Sequence, residues 1–162
     1  MLNQYLKNQT NIMKLLVITF CTLFLGGCSN DNPPIEQTII NPVTIGKHYF
    51  SSSTYQVAEQ MTIISNFNDW DLLLTAMGEH QMVNISEIDI NFEEYIVLAV
   101  FDHGYANFGH TIDITSIVEN RNEILVTVEN LSPGNDLSTF CQPYHIVKIP
   151  ITDKPIVFEM VE

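Results

Sequence analysis

The chain is poor in cysteine, and this shortage limits how it can be stabilised. It holds three cysteines in 162 residues, and two of them, Cys21 and Cys28, lie in or at the edge of an N-terminal apolar segment. Cys141 is the one cysteine left for a folded domain, so no internal disulfide can form. The length is that of a single domain after removal of a targeting segment. We therefore expect its folding to rest on burial of a hydrophobic core.

Basic residues are also scarce. The sequence has 6 Lys and Arg against 19 Asp and Glu, and from Cys28 onward four basic residues face all 19 acidic ones, a formal charge of −15. Such a surface repels phosphate, which argues against binding of nucleic acid or of anionic lipid headgroups. It is compatible with a basic partner or with divalent cations. The simpler interpretation is that the acidic faces keep an exported protein soluble.

Recognisable catalytic motifs are absent from the sequence. There is no Ser/His/Asp arrangement, phosphate-binding loop or paired catalytic carboxylate motif. Glu93 and Glu94 precede a strand and are interpreted as surface charge. Cys141 and His145 would lie about 13 Å apart on a strand, too far for a nucleophile and its base, so Cys141 is interpreted as a small buried hydrophobe. We predict a protein that is not an enzyme and that uses no cofactor.

The N-terminus carries an export signal. The apolar run Leu15–Leu25 has 11 residues, whereas a membrane-spanning helix needs about 20. The run fits a signal peptide instead. It is followed by Gly26, Gly27 and Cys28, and Leu25–Cys28 resembles the bacterial lipobox. We predict a signal peptide over residues 1–27, for which Met13 is a more natural start than Met1.

The lipobox resemblance implies that Cys28 carries a diacylglycerol and an N-linked fatty acyl chain such as palmitate. Two or three buried acyl chains hold a protein stably on a bilayer, since each methylene contributes about 0.8 kcal/mol. Ser29 follows the cysteine in place of the Asp that retains many lipoproteins at the inner membrane, which favours the outer membrane. Residues 28–42 are polar and Pro-rich, and are predicted to be a flexible tether.

One helix stands out in the mature chain. Trp70, Leu73, Leu74 and Met77 follow the spacing of one apolar helical face, and Gly78 follows at the position of a C-cap. The pattern predicts a helix over Asn68–Met77.

Short apolar or alternating runs separated by turn residues predict strands. The run Tyr95–Phe101 is apolar throughout, as in a central strand covered on both faces. Thr139–Ile151 contains Pro143 and Pro150, which are typical of an edge strand or a bulge. The other predicted strands are Thr44–Phe50, the second half of Val57–Ile64, Thr111–Val118, Glu123–Glu129 and Ile156–Val161. We predict an α+β fold, with one helix packed on a curved, mostly antiparallel sheet or partly open barrel of about five to seven strands.

The order of these features resembles the C-terminal domain family of PrcB, a protease complex subunit, over about Thr62 to Phe158. The residues that carry the resemblance are Asn68-Asp69-Trp70, Ile90-Asn91-Phe92, Ile96–Val100, Gly104, Gly109, Pro133-Gly134, Pro143-Tyr144 and Pro155–Phe158. The family's usual Gly-Gly-Tyr before the second strand is replaced by Phe108-Gly109-His110. The resemblance implies that residues 43–162 form such a domain and act as an accessory or stabilising subunit without catalytic residues.

The segment Asp102–His110 is the predicted functional site. It holds two glycines, two histidines and two aromatic residues in nine positions. Exposed aromatic side chains in loops are frequent interface residues. The alternative, and the more common role of such rings, is to cap the open end of the sheet. We predict that Tyr105, Phe108, His110 and Tyr144 contact a partner.

A metal site is a second interpretation of this segment. Asp102, His103, His110 and Asp113 offer nitrogen and oxygen ligands, although their spacing is looser than that of stereotyped metal motifs.

These observations predict a lipid-anchored bacterial envelope lipoprotein. Its function would be that of a non-enzymatic binding module, with an exported protease as the partner that the family resemblance implies. The alternatives are a metal-dependent binding protein or enzyme that uses Asp102, His103 and His110, and a purely structural envelope lipoprotein.

Overall fold

The computed structural model describes residues 37–54 and 57–161. The predicted signal peptide and Cys28 lie outside the described residues. The strands are β1 (Thr38–Ile39), β2 (Val43–Phe50), β3 (Gln60–Ile64), β4 (Tyr95–Phe101), β5 (Asp113–Glu119), β6 (Ile124–Glu129), β7 (Gln142–Pro150) and β8 (Ile156–Val161), and the helices are α1 (Phe67–Met77) and α2 (Glu79–Met82). Within the described stretches, no helix combines the length and the hydrophobicity needed to cross a membrane.

The α+β class is confirmed, and the strands divide into two sheets that do not close into a barrel. Each sheet has four strands. The first sheet has the order β1-β5-β6-β8, and the second has the order β2-β7-β4-β3. Every pair is antiparallel except β6 and β8, which run parallel.

The second sheet separates two hydrophobic cores. Along β4, Ile96, Leu98 and Val100 face a core shared with the first sheet. The alternate β4 residues, Val97, Ala99 and Phe101, face a core shared with α1. The sequence prediction for Tyr95–Phe101 as a doubly covered strand is therefore confirmed, and the domain has three layers: helices, second sheet and first sheet.

Helix α1 forms where the apolar spacing predicts it, one residue longer at its start. The Asn66 side chain caps it by accepting the backbone N–H of Asp69 at 3.0 Å, and the Gly78 N–H donates to the Leu74 carbonyl at 3.1 Å. Trp70 is fully buried, and its indole Nε1–H donates to the Ile88 carbonyl at 2.7 Å. Packing thereby holds the helix against the second sheet, and the indole hydrogen bond fixes it to the segment that precedes β4.

Strand β7 is central, so the prediction of an edge strand or bulge over Thr139–Ile151 is wrong. It lies between β2 and β4. Pro143 and Pro150 fall near its two ends, where they pair with Tyr49 and Tyr95. A proline removes one ladder donor, and in these positions it leaves the middle of the strand fully able to pair.

Two short elements differ from the sequence predictions. Thr38 and Ile39, at the end of the predicted tether, pair with Val118 and Glu119 of β5. Helix α2 follows α1 directly, in a segment for which the sequence predicts no helix. The predicted tether thus ends earlier than Pro42, because its last apolar residues extend the first sheet.

Candidate functional site

The predicted site lies on a connection between the two sheets. We call residues 102–112 the crossing loop, because they lead from β4 in the second sheet to β5 in the first. Tyr105 and Cys141 exchange two backbone hydrogen bonds, of 2.8 and 3.1 Å. Phe108 donates its N–H to the Leu137 carbonyl and accepts from the Asn135 N–H, at 2.9 and 2.7 Å. The crossing loop is therefore held along its length by the chain that precedes β7.

Asp102 organises the start of the crossing loop. Its side chain is buried, and Oδ1 accepts the backbone N–H of His103 at 2.8 Å and lies 2.9 Å from the His103 Nδ1. Oδ2 accepts the Tyr105 hydroxyl at 2.8 Å. The Asp102 carbonyl accepts the Gln142 Nε2–H at 2.8 Å. A buried carboxylate held in this way fixes the positions of both His103 and Tyr105.

Tyr105 packs against two histidine rings. Its ring is parallel to that of His110, with centroids 3.4 Å apart, and 3.9 Å from that of His103. Burial, together with the hydrogen bond to the Asp102 carboxylate, raises the pKa of Tyr105 well above its usual range. Burial also lowers the pKa of His110, against an opposing effect of Asp102. Tyr105 is thus a neutral donor at physiological pH.

Further rings continue this surface towards β2. Phe108 meets Tyr49 edge to face, with centroids 4.9 Å apart. We call Tyr49, His103, Tyr105, Phe108 and His110 the ring surface. Tyr49, Tyr105, Phe108 and His110 are half-buried and His103 is exposed. Leu137 is 61% exposed, beside Phe108 through the backbone pairing described above.

Glycines permit the close packing around His110. Gly134 has φ of 84°, which side chains rarely adopt, and a Cβ there would collide with the His110 ring. Gly109 also has a positive φ, of 92°. The Pro133-Gly134 turn of the sequence therefore has a structural role beside the ring surface.

The structure brings three of the four predicted partner residues together. Tyr105, Phe108 and His110 lie on the ring surface, but Tyr144 is fully buried and its assignment as a surface contact is wrong. Its ring packs against those of Phe50 and Phe101, at centroid distances of 5.4 and 5.6 Å. Burial raises the pKa of Tyr144 to about 12. The error follows from the central position of β7, which places the Tyr144 side chain in the core shared with α1.

The predicted metal ligands do not gather as a group of four. Asp102 and His103 instead lie with Glu59, and one ligand atom from each residue falls within 4.8 Å of the others. Glu59 lies close to Asp102 because β3 pairs with β4 in the register that places Gln60 opposite Phe101. His110 stacks on Tyr105, and Asp113 is engaged elsewhere. Sequence spacing gave no signal for Glu59, which depends on strand pairing.

Asp113 belongs to a polar cluster between the sheets that the sequence did not reveal, in which Asp113 and His145 are buried. It forms an ion pair with Lys47, and it lies 3.7 Å from the His145 Nδ1. The same His145 Nδ1 accepts the backbone N–H of Ile114 at 3.0 Å, and its Nε2 lies 3.2 Å from the Thr44 hydroxyl. This pattern requires a neutral imidazole with its proton on Nε2.

Cys141 and His145 contact different partners in the structure. Cys141 is fully buried, as interpreted from the sequence, and its thiol lies 3.8 Å from the His110 carbonyl oxygen. His145 is engaged by the polar cluster instead. The two side chains thus have separate structural partners.

Comparisons with known proteins add no identification: no family model, no curated protein and no solved structure matches this chain. The candidate site is therefore interpreted from its own geometry and chemistry.

The buried His145 should make stability depend on pH. Burial, assisted by Lys47 and opposed by Asp113, lowers its pKa from 6.5 to about 4. Between these two pH values the unfolded chain therefore binds more protons than the folded chain does. The contribution of neutral His145 to stability is complete above pH 6.5 and is lost as pH falls towards 4. Between pH 7.5 and 4.5 we expect His145 to account for a loss of about 2 to 3 kcal/mol in the free energy of unfolding.

Urea denaturation of the wild type and of His145→Asn at both pH values would measure this loss. Asparagine keeps an acceptor for the Ile114 N–H but does not titrate in this range. We expect the pH-dependent loss to be smaller in the variant by that amount. The control is the equivalent substitution at an exposed position of β2, His48→Asn. The pH-dependent loss of stability in this variant should match that of the wild type. Equal pH dependence in wild type and His145→Asn would contradict the assignment.

Proposed function

We propose that this protein is a lipid-anchored accessory module of the bacterial cell envelope that binds another exported protein through the ring surface. The lipid would be attached at Cys28, and residues 29–36 would link the domain to the membrane. Ser29 after the cysteine favours the outer membrane. The proposed role is binding or stabilisation of the partner, without catalysis. The family resemblance supports an exported protease as that partner.

The ring surface is the observation that carries this proposal. Its rings are held in place before any partner arrives, because Asp102 fixes His103 and Tyr105, and Tyr49 supports Phe108. Large rings that are already ordered lose little conformational entropy on binding, which is why they dominate interface energetics. The exposed Leu137 adds apolar area beside them.

The chemistry of the neighbouring groups is more typical of recognition than of catalysis. The Tyr105 hydroxyl has its pKa raised and donates to Asp102. The thiol of Cys141 is buried, and the pKa of His145 is lowered by burial within its own cluster. Each group therefore has a structural partner that accounts for its environment.

Affinity capture would test the proposal. Full-length tagged protein, extracted in detergent from its native host, would be compared with a Phe108→Ala, Leu137→Ala double variant. Removal of central apolar contacts commonly costs about 2 kcal/mol of binding free energy, so we expect recovery of the specific partner to fall at least tenfold. The measurement is quantitative mass spectrometry of the captured proteins.

Val83→Ala supplies the matched control, since Val83 is 86% exposed and lies just after α2. It should capture the partner as the wild type does, and all variants should share one melting temperature to within a few degrees. Equal recovery of the same proteins by wild type and double variant would show that the ring surface is not the binding site.

A divalent metal site is the second candidate, favoured by the meeting of Glu59, Asp102 and His103. One imidazole and two carboxylates form a donor set that suits Zn²⁺. The Tyr105 hydroxyl on the other oxygen of Asp102 would act as an outer partner that orients this ligand.

Elemental analysis after mild dialysis distinguishes this candidate from the first. A metal site predicts about one equivalent of bound Zn²⁺ and a rise in melting temperature on adding Zn²⁺. Both effects should disappear in Glu59→Gln and His103→Gln but persist in Glu93→Gln, an exposed control. A wild-type protein that neither retains metal nor responds to Zn²⁺ or Ca²⁺ would remove this candidate.

A further inference from the structure

We propose that strand β3 accepts an extended, positively charged segment of a partner protein as an added strand. The segment would continue the second sheet and lie in a groove between β3 and α1. This inference extends the proposed binding role and takes from it only the idea that another protein is bound. The residues that line its groove are not those of the ring surface, so each site can be tested alone.

The open edge of β3 is the first observation. Strand β3 ends the second sheet, and in the described part of the chain it pairs with β4 alone, over five residues without a register shift. Its sequence, Gln60–Ile64, contains no charge, proline or glycine. Natural proteins usually protect such an edge by one of these means, because its unpaired N–H and C=O groups can pair with another chain.

The other edge of the same sheet is protected. Strand β2 has a bulge between Thr44 and Gly46 and carries Lys47. Its Ile45 carbonyl accepts the Ser86 N–H at 2.8 Å. The openness of β3 is therefore a local property and is not shared by both edges of the sheet.

A groove runs beside the open edge. Its volume is about 280 Å³, and its walls come from Gln60, Thr62 and Ile64 of β3 and from Asp69, Leu72 and Ala76 of α1. Leu72 is 67% exposed and the neighbouring Ile63 is 42% exposed. A sheet edge beside a helix is the geometry in which added strands bind: the main chain gives affinity, and alternate side chains enter the groove.

Charge identifies the kind of segment that fits. Between Val57 and Ala76 the chain carries Glu59, Asp69 and Asp71 and no Lys or Arg, and Asp69 lies on the groove wall. A second copy of β3 would bring these carboxylates against one another. Residues 29–36 of the same chain contain two acidic residues and no basic one. A cationic segment from a different protein is the complementary occupant.

A synthetic peptide provides the test. The probe is acetyl-KVTVTVK-amide, with fluorescent labelling, and the protein is the full chain in detergent micelles. We expect saturable binding that weakens as ionic strength is raised. The acidic counterpart, acetyl-EVTVTVE-amide, should bind at least tenfold more weakly.

Two matched comparisons locate the site. Asp69→Asn should weaken peptide binding about threefold to fivefold, as expected for loss of one partly exposed charge pair. Asp71→Asn makes the same charge change on the same helix, outside the groove walls, and should weaken binding less than twofold. The Phe108→Ala, Leu137→Ala variant should bind the peptide normally, which separates this site from the ring surface.

N-methylation of the peptide tests the added strand itself. In a strand, alternate N–H groups face the neighbouring strand, so methylation of one alternate set should abolish binding and methylation of the other should be tolerated. Equal binding of both methylated peptides, equal effects of Asp69→Asn and Asp71→Asn, or no saturable binding of the cationic probe would overturn the proposal. Concentration-dependent dimerisation that excludes the probe would assign the edge to a second copy and would also overturn it.

Discussion

The pairing of β4 with β7 is the interaction on which the rest of the structure depends. It joins Tyr95–Phe101 to the last seven residues of β7 in one unbroken register, from Phe101 opposite Tyr144 to Tyr95 opposite Pro150. Every residue of β4 after Tyr95 is buried. Because alternate side chains of these strands supply two cores, this pair holds both the helix layer and the first sheet, and loss of it would expose both at once.

The same pairing explains where the candidate sites lie. The crossing loop begins where β4 ends, and its backbone is held by the residues that lead into β7. Strand β3, paired on the outer side of β4, brings Glu59 to Asp102 and leaves an open edge beside α1. The second sheet thus positions the ring surface, the group formed by Glu59, Asp102 and His103, and the β3 groove.

What the sequence could predict follows from the range of the interactions involved. Helix α1 and strand β4 were predicted almost to the residue, because apolar spacing and continuous hydrophobicity are local signals. Strands β5 and β6 were predicted to within about two residues for the same reason. The division into two sheets was not, because it depends on which strands pair across long stretches of chain, and no local pattern encodes that choice.

The errors at the candidate site have the same origin. Two prolines made β7 resemble an edge strand, and an edge strand would have left Tyr144 available to a partner. Tyr144 lies instead at the centre of a core. Glu59 was overlooked because only the register of β3 against β4 brings it to Asp102. Tyr105, Phe108 and His110 could be selected as candidates because glycines and rings crowded into a short segment are visible without any knowledge of pairing.

Hydrogen exchange of individual backbone amides tests the central role of the β4–β7 pair most directly. If this pair supports both cores, its hydrogen-bonded amides can exchange only when the whole domain unfolds. Their exchange free energies should equal the global free energy of unfolding from urea denaturation, while amides of β8 exchange through smaller openings. Exchange of β4 amides through openings several kcal/mol below the global value, with β5 and β6 still protected, would contradict the account.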